Sequence, residues 1–451
     1  MKNPHNSVMI ITFDMVPYAL WGACQRMYYL ADYLQDHGFS VFVVHAKKPE
    51  YTGNFGHSVR FRSIPVWVSL SGKPSEGISP DEMRNGKAVN AQKNLFSSIK
   101  ISGKKIILYL EKLIFNEPNK SMGIYGYIFS RNARDEVFRA LSENTIDHVI
   151  ISGPPFSFFT LGPQIKKRFP EINLILDYRD PWNTPRLSYR IPSFMEKQAL
   201  RAADKVVFTN DNLLDDISQK YNVPKEKCEV VMNGYSRQDW DEIFKESAGH
   251  EIKNGVSDRM ILSYIGDFSL NKGGFRDITS FFEAFKLFQK NKKILLRFVG
   301  VKPSEEIDTI KKQFPETLEI LHPVDTKKAL LYMLKSDVLC LNHTDENTGR
   351  YVSPGKMYDY MRSGNVIWGI ADSDDTSFFR LIYQYHLGIT CLSGTSDILK
   401  NFELLYDTWI AGSLGELRTD KGLIIDTFSR DTQNSKYLHM LKEFEQNRIT
   451  S

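Results

Sequence analysis

Short apolar runs alternate with helical patterns along this chain, and this alternation constrains its fold more than any other feature. It occurs in two series, separated by a polar stretch at residues 244–259. Strands of a parallel sheet are buried on both faces, so they read as continuous apolar runs, and the intervening helices cover the sheet. The sequence therefore predicts an α/β protein with two doubly wound parallel sheets.

The elements of the two series are predicted from these runs. Strands are predicted at residues 8–12, 39–45, 148–152, 174–177, 205–209 and 228–232, and then at 260–265, 294–299, 318–321, 338–342 and 366–370. Helices are predicted at 27–37, 193–203, 212–220, 277–289, 304–314, 326–335 and 356–362. Because open parallel sheets bind ligands beyond the carboxyl ends of their strands, we expect the functional residues directly after these runs.

The composition excludes several classes of protein. The chain has 451 residues, of which 42% are apolar and 25% are charged, so extensive disorder is not expected. A net charge of +4 is too balanced for a nucleic-acid-binding protein, and no apolar run is long enough to span a membrane. The start of the chain lacks the layout of a signal peptide, and the four cysteines are far apart in sequence. We therefore expect a cytoplasmic protein without disulfides or a zinc site.

The charge is unevenly distributed, because residues 47–135 carry 15 Lys or Arg against 7 Asp or Glu. Within this region, residues 95–115 place lysines among isoleucines and leucines. A surface helix packed on the core explains that pattern, and so does a segment that contacts anionic lipid headgroups. The sequence favours the first explanation slightly and leaves peripheral contact with a membrane open.

In the second series, a loop rich in glycine and cations follows the strand at 260–265. It begins at Gly266 and contains Lys272 and Arg276 before the next helix. Positive side chains at a helix N-terminus, where backbone amides already favour anions, suit a diphosphate. A solvated loop lysine is the alternative.

The segment 351–360 also joins a turn to a helix. Pro354 and Gly355 end the preceding chain, and Lys356 and Asp359 lie three residues apart near the start of the predicted helix. The lysine can bind phosphate there, and the carboxylate can accept hydrogen bonds from ribose hydroxyls. An ion pair between the two side chains is the alternative. The acidic loop 372–375 contains a D-x-D spelling, which we interpret as solvated rather than as a metal site.

The densest charge of the first series lies at 177–182, directly after a predicted strand. Asp177, Arg179 and Asp180 require partners or a ligand there, and an Asp177–Arg179 or Arg179–Asp180 salt bridge is the structural alternative. Near the start of the chain, Gly22 precedes a helix that carries Arg26, which is compatible with an anion-binding turn or with a plain tight turn.

Taken in order, these segments resemble the glycosyltransferases of the GT-B fold, in particular the family-4-like group. The matching segments are D-x-R-D-x-W at 177–182, the stretch from 195–210 to Asn233 and Gly234, residues 264–266 with Lys272, and 354–360. The resemblance implies two facing Rossmann-like domains at 1–250 and 251–427, with a last helix at about 428–451 that returns to the first domain.

The resemblance also implies a reaction. It implies transfer of a sugar from a UDP- or GDP-sugar to a glycan or lipid-linked hydroxyl in glycoconjugate synthesis, with retention and without a metal or tightly bound cofactor. Residues expected to act in catalysis are Asp180, Arg179, Lys272 and Lys356. Residues expected to bind the donor are Gly22, Gly266, Lys272, Arg276, Pro354, Lys356, Asp359 and Tyr360.

Two departures from the family pattern keep other functions open. Asp267 occupies a position where many relatives carry arginine, and Tyr351 occupies the position of the first of two glutamates. A nucleotide-sugar epimerase or hydrolase on the same scaffold is therefore an alternative. A non-catalytic nucleotide-binding partner in a glycan-synthesis complex is another.

Overall fold

The computed structural model describes residues 6–16, 22–47, 60–67, 123–183, 190–248, 258–268, 270, 276–344, 349–419 and 426–450. The chain forms two compact units. The first comprises Met1–Val231 together with Asn434–Ser451, and the second comprises Met232–Gln433. The segment 95–115 lies outside the described residues.

The first unit is built on a parallel sheet with the strand order β3-β2-β1-β4-β5-β6-β7. Its strands are β1 (Ser7–Ile11), β2 (Ser40–Lys47), β3 (Arg62–Trp67), β4 (His148–Gly153), β5 (Asn173–Tyr178), β6 (Lys205–Phe208) and β7 (Cys228–Val230). In the centre, Ile10 of β1 lies opposite Val43 of β2 and Ile150 of β4. All five residues of β1 are buried, as expected for a strand covered on both faces.

Helices connect these strands and close the unit. They are α1 (Gly22–Asp36), α2 (Gly123–Glu143), α3 (Leu161–Arg168), α4 (Arg190–Ala202), α5 (Asp211–Tyr221) and the last helix of the chain, α13 (Arg430–Thr450). The side chain of Asn210 caps α5 by accepting a hydrogen bond from the Leu213 amide at 3.0 Å. Tyr437 and Leu441 of α13 are buried in the apolar core of this unit.

The second unit is built on another parallel sheet, with the strand order β10-β9-β8-β11-β12-β13. Its strands are β8 (Met260–Ile265), β9 (Ile294–Val299), β10 (Leu318–Leu321), β11 (Val338–His343), β12 (Val366–Ala371) and β13 (Gly388–Leu392). Its helices are α6 (Arg237–Ala248), α7 (Thr279–Phe288), α8 (Glu305–Gln313), α9 (Thr326–Leu334), α10 (Lys356–Ser363), α11 (Ser377–Gln384) and α12 (Thr395–Ile410). One face of the sheet packs on a phenylalanine-rich core that includes Phe281, Phe298 and Phe402.

The predicted fold class is confirmed, but some elements and bounds differ. The edge strands β3 and β13 were not predicted. β3 contains Pro65 and exposes half of its six residues, so it lacks the continuous apolar run of a central strand. Residues 244–248, predicted as a polar link, belong to α6.

The units divide the chain at 231/232 rather than at 250/251. The reason lies in α6, where Trp240 is fully buried and donates a hydrogen bond to Asp359 of α10. At the other end, residues of α13 from Asn434 onward belong to the first unit. Among the described helices, none is long and apolar enough to cross a membrane.

Candidate functional site

The second sheet opens between β8 and β11, where the chain reverses its order of strand addition. These two strands pair only at Val338 with Leu262 and at Leu339 with Ser263, and then separate toward their carboxyl ends. The Tyr360 hydroxyl lies between them, accepting from the Ile265 amide at 3.0 Å and donating to the Cys340 carbonyl at 3.3 Å. A crevice at such a reversal is where open α/β sheets bind ligands.

Gly266 lies at the end of β8, on this crevice. Its φ of 122° is one that other residues rarely adopt, and its amide donates to the Val299 carbonyl at 2.7 Å. A Cβ atom at this position would lie 3.5 Å from the Lys356 Nζ. The glycine therefore keeps the space beside the lysine ammonium group open.

Lys356 begins α10 and directs its ammonium group to the end of β8. The Nζ atom donates to the Ile265 carbonyl at 2.9 Å and lies 3.7 Å from the centre of the Tyr264 ring. Burial lowers the pKa of Lys356 well below its ordinary value, and the positive charge of Arg276 lowers it further. No salt bridge to Lys356 is present within the described residues, so an anion bound here would supply the missing negative charge.

Two further cations lie around the Gly266–Asp267 turn. The Arg276 guanidinium is 3.5 Å from the Asp267 carbonyl, and the Lys302 ammonium is 3.3 Å from the Asp267 carboxylate. Lys302 follows β9, the neighbour of β8, so its position at a strand end was a signal that our sequence analysis missed. Lys356, Arg276 and Lys302 thus approach one turn from three separate segments.

The predicted Lys272 lies outside the described residues. Pro354 is described, and its carbonyl accepts a hydrogen bond from the Met357 amide at 3.0 Å, which closes the first turn of α10. We refer to Gly266, Arg276, Lys302, Pro354 and Lys356 as the cationic site.

Asp359 and Tyr360, which we predicted to bind the donor, each have hydrogen-bond partners within the second unit. The Asp359 carboxylate accepts from the Trp240 indole at 3.0 Å, and burial raises its pKa to about 6. Tyr360 is fully buried, with its hydroxyl bound to the backbone of β8 and β11. The alternative Lys356–Asp359 ion pair is not present among the described residues. The Tyr360 hydroxyl links β8 and β11 at the crevice.

In the first unit, Asp177 pairs with Arg26 and not with Arg179, the partner in the structural alternative. Its carboxylate forms a buried salt bridge with Arg26 at 2.8 Å and accepts hydrogen bonds from Ser152 and Tyr437, both at 2.7 Å. Burial alone would raise the pKa of Asp177, but the charge of Arg26 and these donors hold it below its usual value. This buried network joins α1, β4, β5 and α13. Arg26, the arginine of the helix that Gly22 begins, is therefore paired within the protein.

Gly22 begins α1. Arg179 donates from Nε to the Gly153 carbonyl at 3.1 Å and from Nη2 to the Pro154 carbonyl. It therefore ties the segment after β5 to the loop after β4 rather than forming a salt bridge with Asp177 or Asp180.

Asp180 is half-buried, and no hydrogen bond or salt bridge to its carboxylate is present within the described residues. Burial raises its pKa above the ordinary value, and the nearby charge of Arg179 opposes the shift. A carboxylate with free acceptor positions beyond the end of β5 can order a hydroxyl group or accept its proton.

Glu196 of α4 holds the end of the same segment. It is fully buried and accepts hydrogen bonds from the Asn183 amide at 2.9 Å and the Tyr221 hydroxyl at 2.6 Å. Burial raises its pKa to about 7, although these donors and Lys220 oppose the shift.

Comparison with known proteins gave structural matches only, since no family model and no curated sequence matches. A glycosyltransferase from Rickettsia africae aligns over 98% of this chain and 99% of its own, with a TM-score of 0.58 and 11% identity. The Anabaena protein HepE in complex with UDP aligns over 97% and 100%, with a TM-score of 0.60 and 10% identity. An E. coli structure described as trehalose-6-phosphate bound with UDP-2-fluoro glucose aligns over 97% and 99%, with a TM-score of 0.60 and 11% identity.

The chain has the GT-B fold. The match extends over nearly the whole length of each of the three chains, as the resemblance in sequence implied. At 10–11% identity the similarity establishes the fold and not the reaction. In this GT-B chain the predicted return of the last helix is present, because Tyr437 of α13 contacts Arg26 and Asp177 of the first unit.

Proposed function

We propose that the chain is a glycosyltransferase that transfers a sugar from a nucleotide-sugar to the hydroxyl group of a glycan or lipid-linked acceptor. The observation that carries the proposal is the cationic site at the β8–β11 crevice. It gathers three cations around a glycine turn and leaves the buried lysine with a carbonyl as its hydrogen-bond acceptor. Two of the structurally similar proteins are described with UDP or a UDP-sugar bound, which supports the choice of donor.

In the proposed reaction, the bond between the anomeric carbon and the diphosphate oxygen breaks, and the diphosphate leaves with the bonding electrons. Lys356, Arg276 and Lys302 stabilise the negative charge that develops on it, and the predicted role of Lys272 is the same. Fixed charges that face a developing anion lower the barrier without needing to reorganise, and removing one such group typically costs roughly 10²–10³ in rate. The reaction therefore does not require a metal.

On the acceptor side, a new bond forms between the acceptor oxygen and the anomeric carbon, with retention of configuration. The hydroxyl proton passes to Asp180, whose raised pKa brings it closer to the pH at which a carboxylate is an effective base. Arg179 acts as a positioning residue, since it fixes the backbone that carries Asp180. Gly22, at the start of α1, is proposed to help bind the donor.

The setting proposed for this reaction is the synthesis of a cell-surface glycoconjugate, with the enzyme on the cytoplasmic face of a membrane. A nucleoside diphosphate is then the product that remains on the cationic site. Uridine and guanosine are the two candidate bases of the donor, and nucleotide binding distinguishes them.

The proposal is tested by nucleotide binding followed by turnover. UDP, GDP and ADP are compared for the rise in unfolding temperature that they cause, because a ligand that binds only the folded state stabilises it by mass action. We expect one base to give the largest shift and its sugar conjugates to be consumed only when an acceptor extract is added. Consumption without an acceptor would instead identify a hydrolase or epimerase, and binding without any consumption would identify a non-catalytic partner.

A further inference from the structure

Helix α4 carries an exposed face that the proposed reaction does not use. Arg190, Phe194, Lys197 and Arg201 follow one another at spacings of four, three and four residues, so they form a single row along the helix. Ile191 lies beside this row. Phe194 is 64% exposed and Ile191 is 49% exposed. We refer to these five residues as the α4 stripe.

The α4 stripe is positive, and no carboxylate balances it on its own helix. The only acidic residue of α4 is Glu196, which is fully buried on the opposite side of the helix. The neighbouring helix α3 contains no acidic residue and exposes Lys167 and Arg168. Across the described part of the chain, no salt bridge involves the three cations of the stripe.

The position of α4 in the fold relates this surface to Asp180. The helix connects β5 to the parallel strand β6, so it runs opposite to the strands and begins at their carboxyl edge. Ile191 and Phe194 therefore lie in the part of α4 nearest that edge. Asp180 follows β5 at the same edge of the sheet.

We propose that the α4 stripe docks on an anionic lipid bilayer, and that the acceptor is a lipid-linked molecule presented by that bilayer. The choice of acceptor rests on the proposed function, whereas the docking does not. Basic side chains attract anionic headgroups, and an adjacent phenylalanine and isoleucine can enter the boundary between headgroups and acyl chains. A soluble anion would be bound by the cations alone and would leave Phe194 in water.

The test measures sedimentation of the full chain with vesicles of phosphatidylcholine alone and of phosphatidylcholine mixed with phosphatidylglycerol. The wild-type chain should bind only the mixed vesicles, and added salt should weaken the binding because it screens the headgroup charge. The double variant Lys197→Gln/Arg201→Gln should reduce the partition coefficient by roughly 30-fold. Phe194→Ser should reduce it by roughly tenfold or more.

Two control variants remove comparable groups from the second unit. Lys311→Gln/Lys312→Gln removes two exposed lysines from α8, and Leu287→Ser removes a side chain that is 62% exposed. Both should bind mixed vesicles as the wild-type chain does. The proposal is wrong if the wild-type chain does not bind mixed vesicles, or if the stripe variants bind as well as the controls. Retained binding in those variants would assign the contact to another segment, such as 95–115.

Nucleotide binding separates this proposal from the proposed function. Stripe variants that lose vesicle binding should keep the thermal shift given by the preferred nucleoside diphosphate, because α4 contributes nothing to the cationic site. A chain that binds mixed vesicles but no nucleotide would contradict the proposed function and leave the docking intact. Addition of acceptor lipid to the vesicles should accelerate sugar consumption by the wild-type chain, and the stripe variants should lose that acceleration.

Discussion

The two sheets have the same order in their six corresponding strands. They differ in the partner of a long cationic side chain at the carboxyl edge. In the first unit, Arg26 meets the Asp177 carboxylate at 2.8 Å, and Ser152 and Tyr437 complete the hydrogen bonds of that carboxylate. In the second unit, Lys356 meets a backbone carbonyl and an aromatic ring.

The difference shows how the surroundings of a charge decide its role. A buried charge whose partner belongs to the protein holds elements together, and it has little left to offer a ligand. A charge placed near other cations, with only a carbonyl as acceptor, disfavours its own ionised form until an anion arrives. The first network is therefore structural, whereas we propose the cationic site as the part of the two edges that binds a ligand.

Breaking the structural network should give the largest effect on stability. In Asp177→Asn the Arg26 guanidinium stays buried without a counter-charge, and such losses typically cost about 3–5 kcal/mol. We expect the free energy of unfolding of the first unit to fall by that amount in urea titrations.

The matched control is Asp32→Asn, which removes an acid that is paired with Arg60 on the surface. Exposed pairs of this kind contribute about 0–1 kcal/mol. If both variants lost the same stability, the Asp177 network would be no more structural than a surface pair, and the contrast between the two edges would fail.

Glu196 adds a third case to the comparison, because it is a buried carboxylate whose hydrogen bonds come from the neutral groups of Asn183 and Tyr221. Its pKa is raised to about 7 in the folded chain, whereas an unfolded glutamate ionises near 4.5. Between these values the folded chain binds more protons than the unfolded chain, so stability falls as the pH rises. The loss approaches roughly 3 kcal/mol above pH 7 at about 1.36 kcal/mol per pKa unit.

Glu196→Gln should remove this component while keeping an acceptor for Asn183 and Tyr221. The difference in unfolding free energy between the variant and the wild-type chain should be small near pH 5 and should favour the variant near pH 8. Comparing the two proteins at each pH cancels the other titrating groups. A difference that does not change with pH would show that Glu196 is already ionised in the folded chain.

The contrast between these charges could be predicted from the sequence only in part. Continuous apolar runs identified the central strands, because burial on both faces leaves a direct trace in composition. Lys356 and Arg276 were predicted because a strand, a glycine turn and a helix start are all local features. The GT-B fold was predicted from the order of such segments.

The partners of the charges could not be predicted, because they come from distant parts of the chain. Asp177 pairs with Arg26, 151 residues away, and with Tyr437, 260 residues away. The alternative Asp177–Arg179 pair is close in sequence, but Arg179 donates to the Gly153 and Pro154 carbonyls instead. For the same reason, the hydrogen bond from Trp240 to Asp359, 119 residues away, could not be predicted.

Lys356→Met tests the other half of the comparison. Because the folded chain lowers the pKa of Lys356, the ionised lysine is penalised at neutral pH, and its removal should leave the unfolding temperature equal or higher. The affinity for the preferred nucleoside diphosphate should fall roughly ten- to hundredfold, the value of a hydrogen bond to a charged group. Calorimetric titration and thermal unfolding of one preparation measure both.

A loss of stability without a loss of affinity would reverse the assignment, since Lys356 would then be a structural cation like Arg26. The conservative variant Lys356→Arg keeps the charge but not the compact ammonium group above Tyr264. It should recover only part of the affinity, because a planar guanidinium does not fit the position that a single Nζ occupies beside Gly266.

The smallest effects are expected at the Lys302–Asp267 pair, which is a salt bridge on the protein surface. Both side chains are exposed, so breaking the pair should change stability very little.

The two variants of this pair should change nucleotide affinity in opposite directions. Lys302→Gln should weaken binding about two- to fivefold by removing an attractive charge, and Asp267→Asn should strengthen it by a similar factor by removing a repulsive one. Both changes should shrink as salt is added, because exposed charges are screened. Equal signs for the two variants would mean that the pair acts through the shape of the Gly266 turn and not through charge.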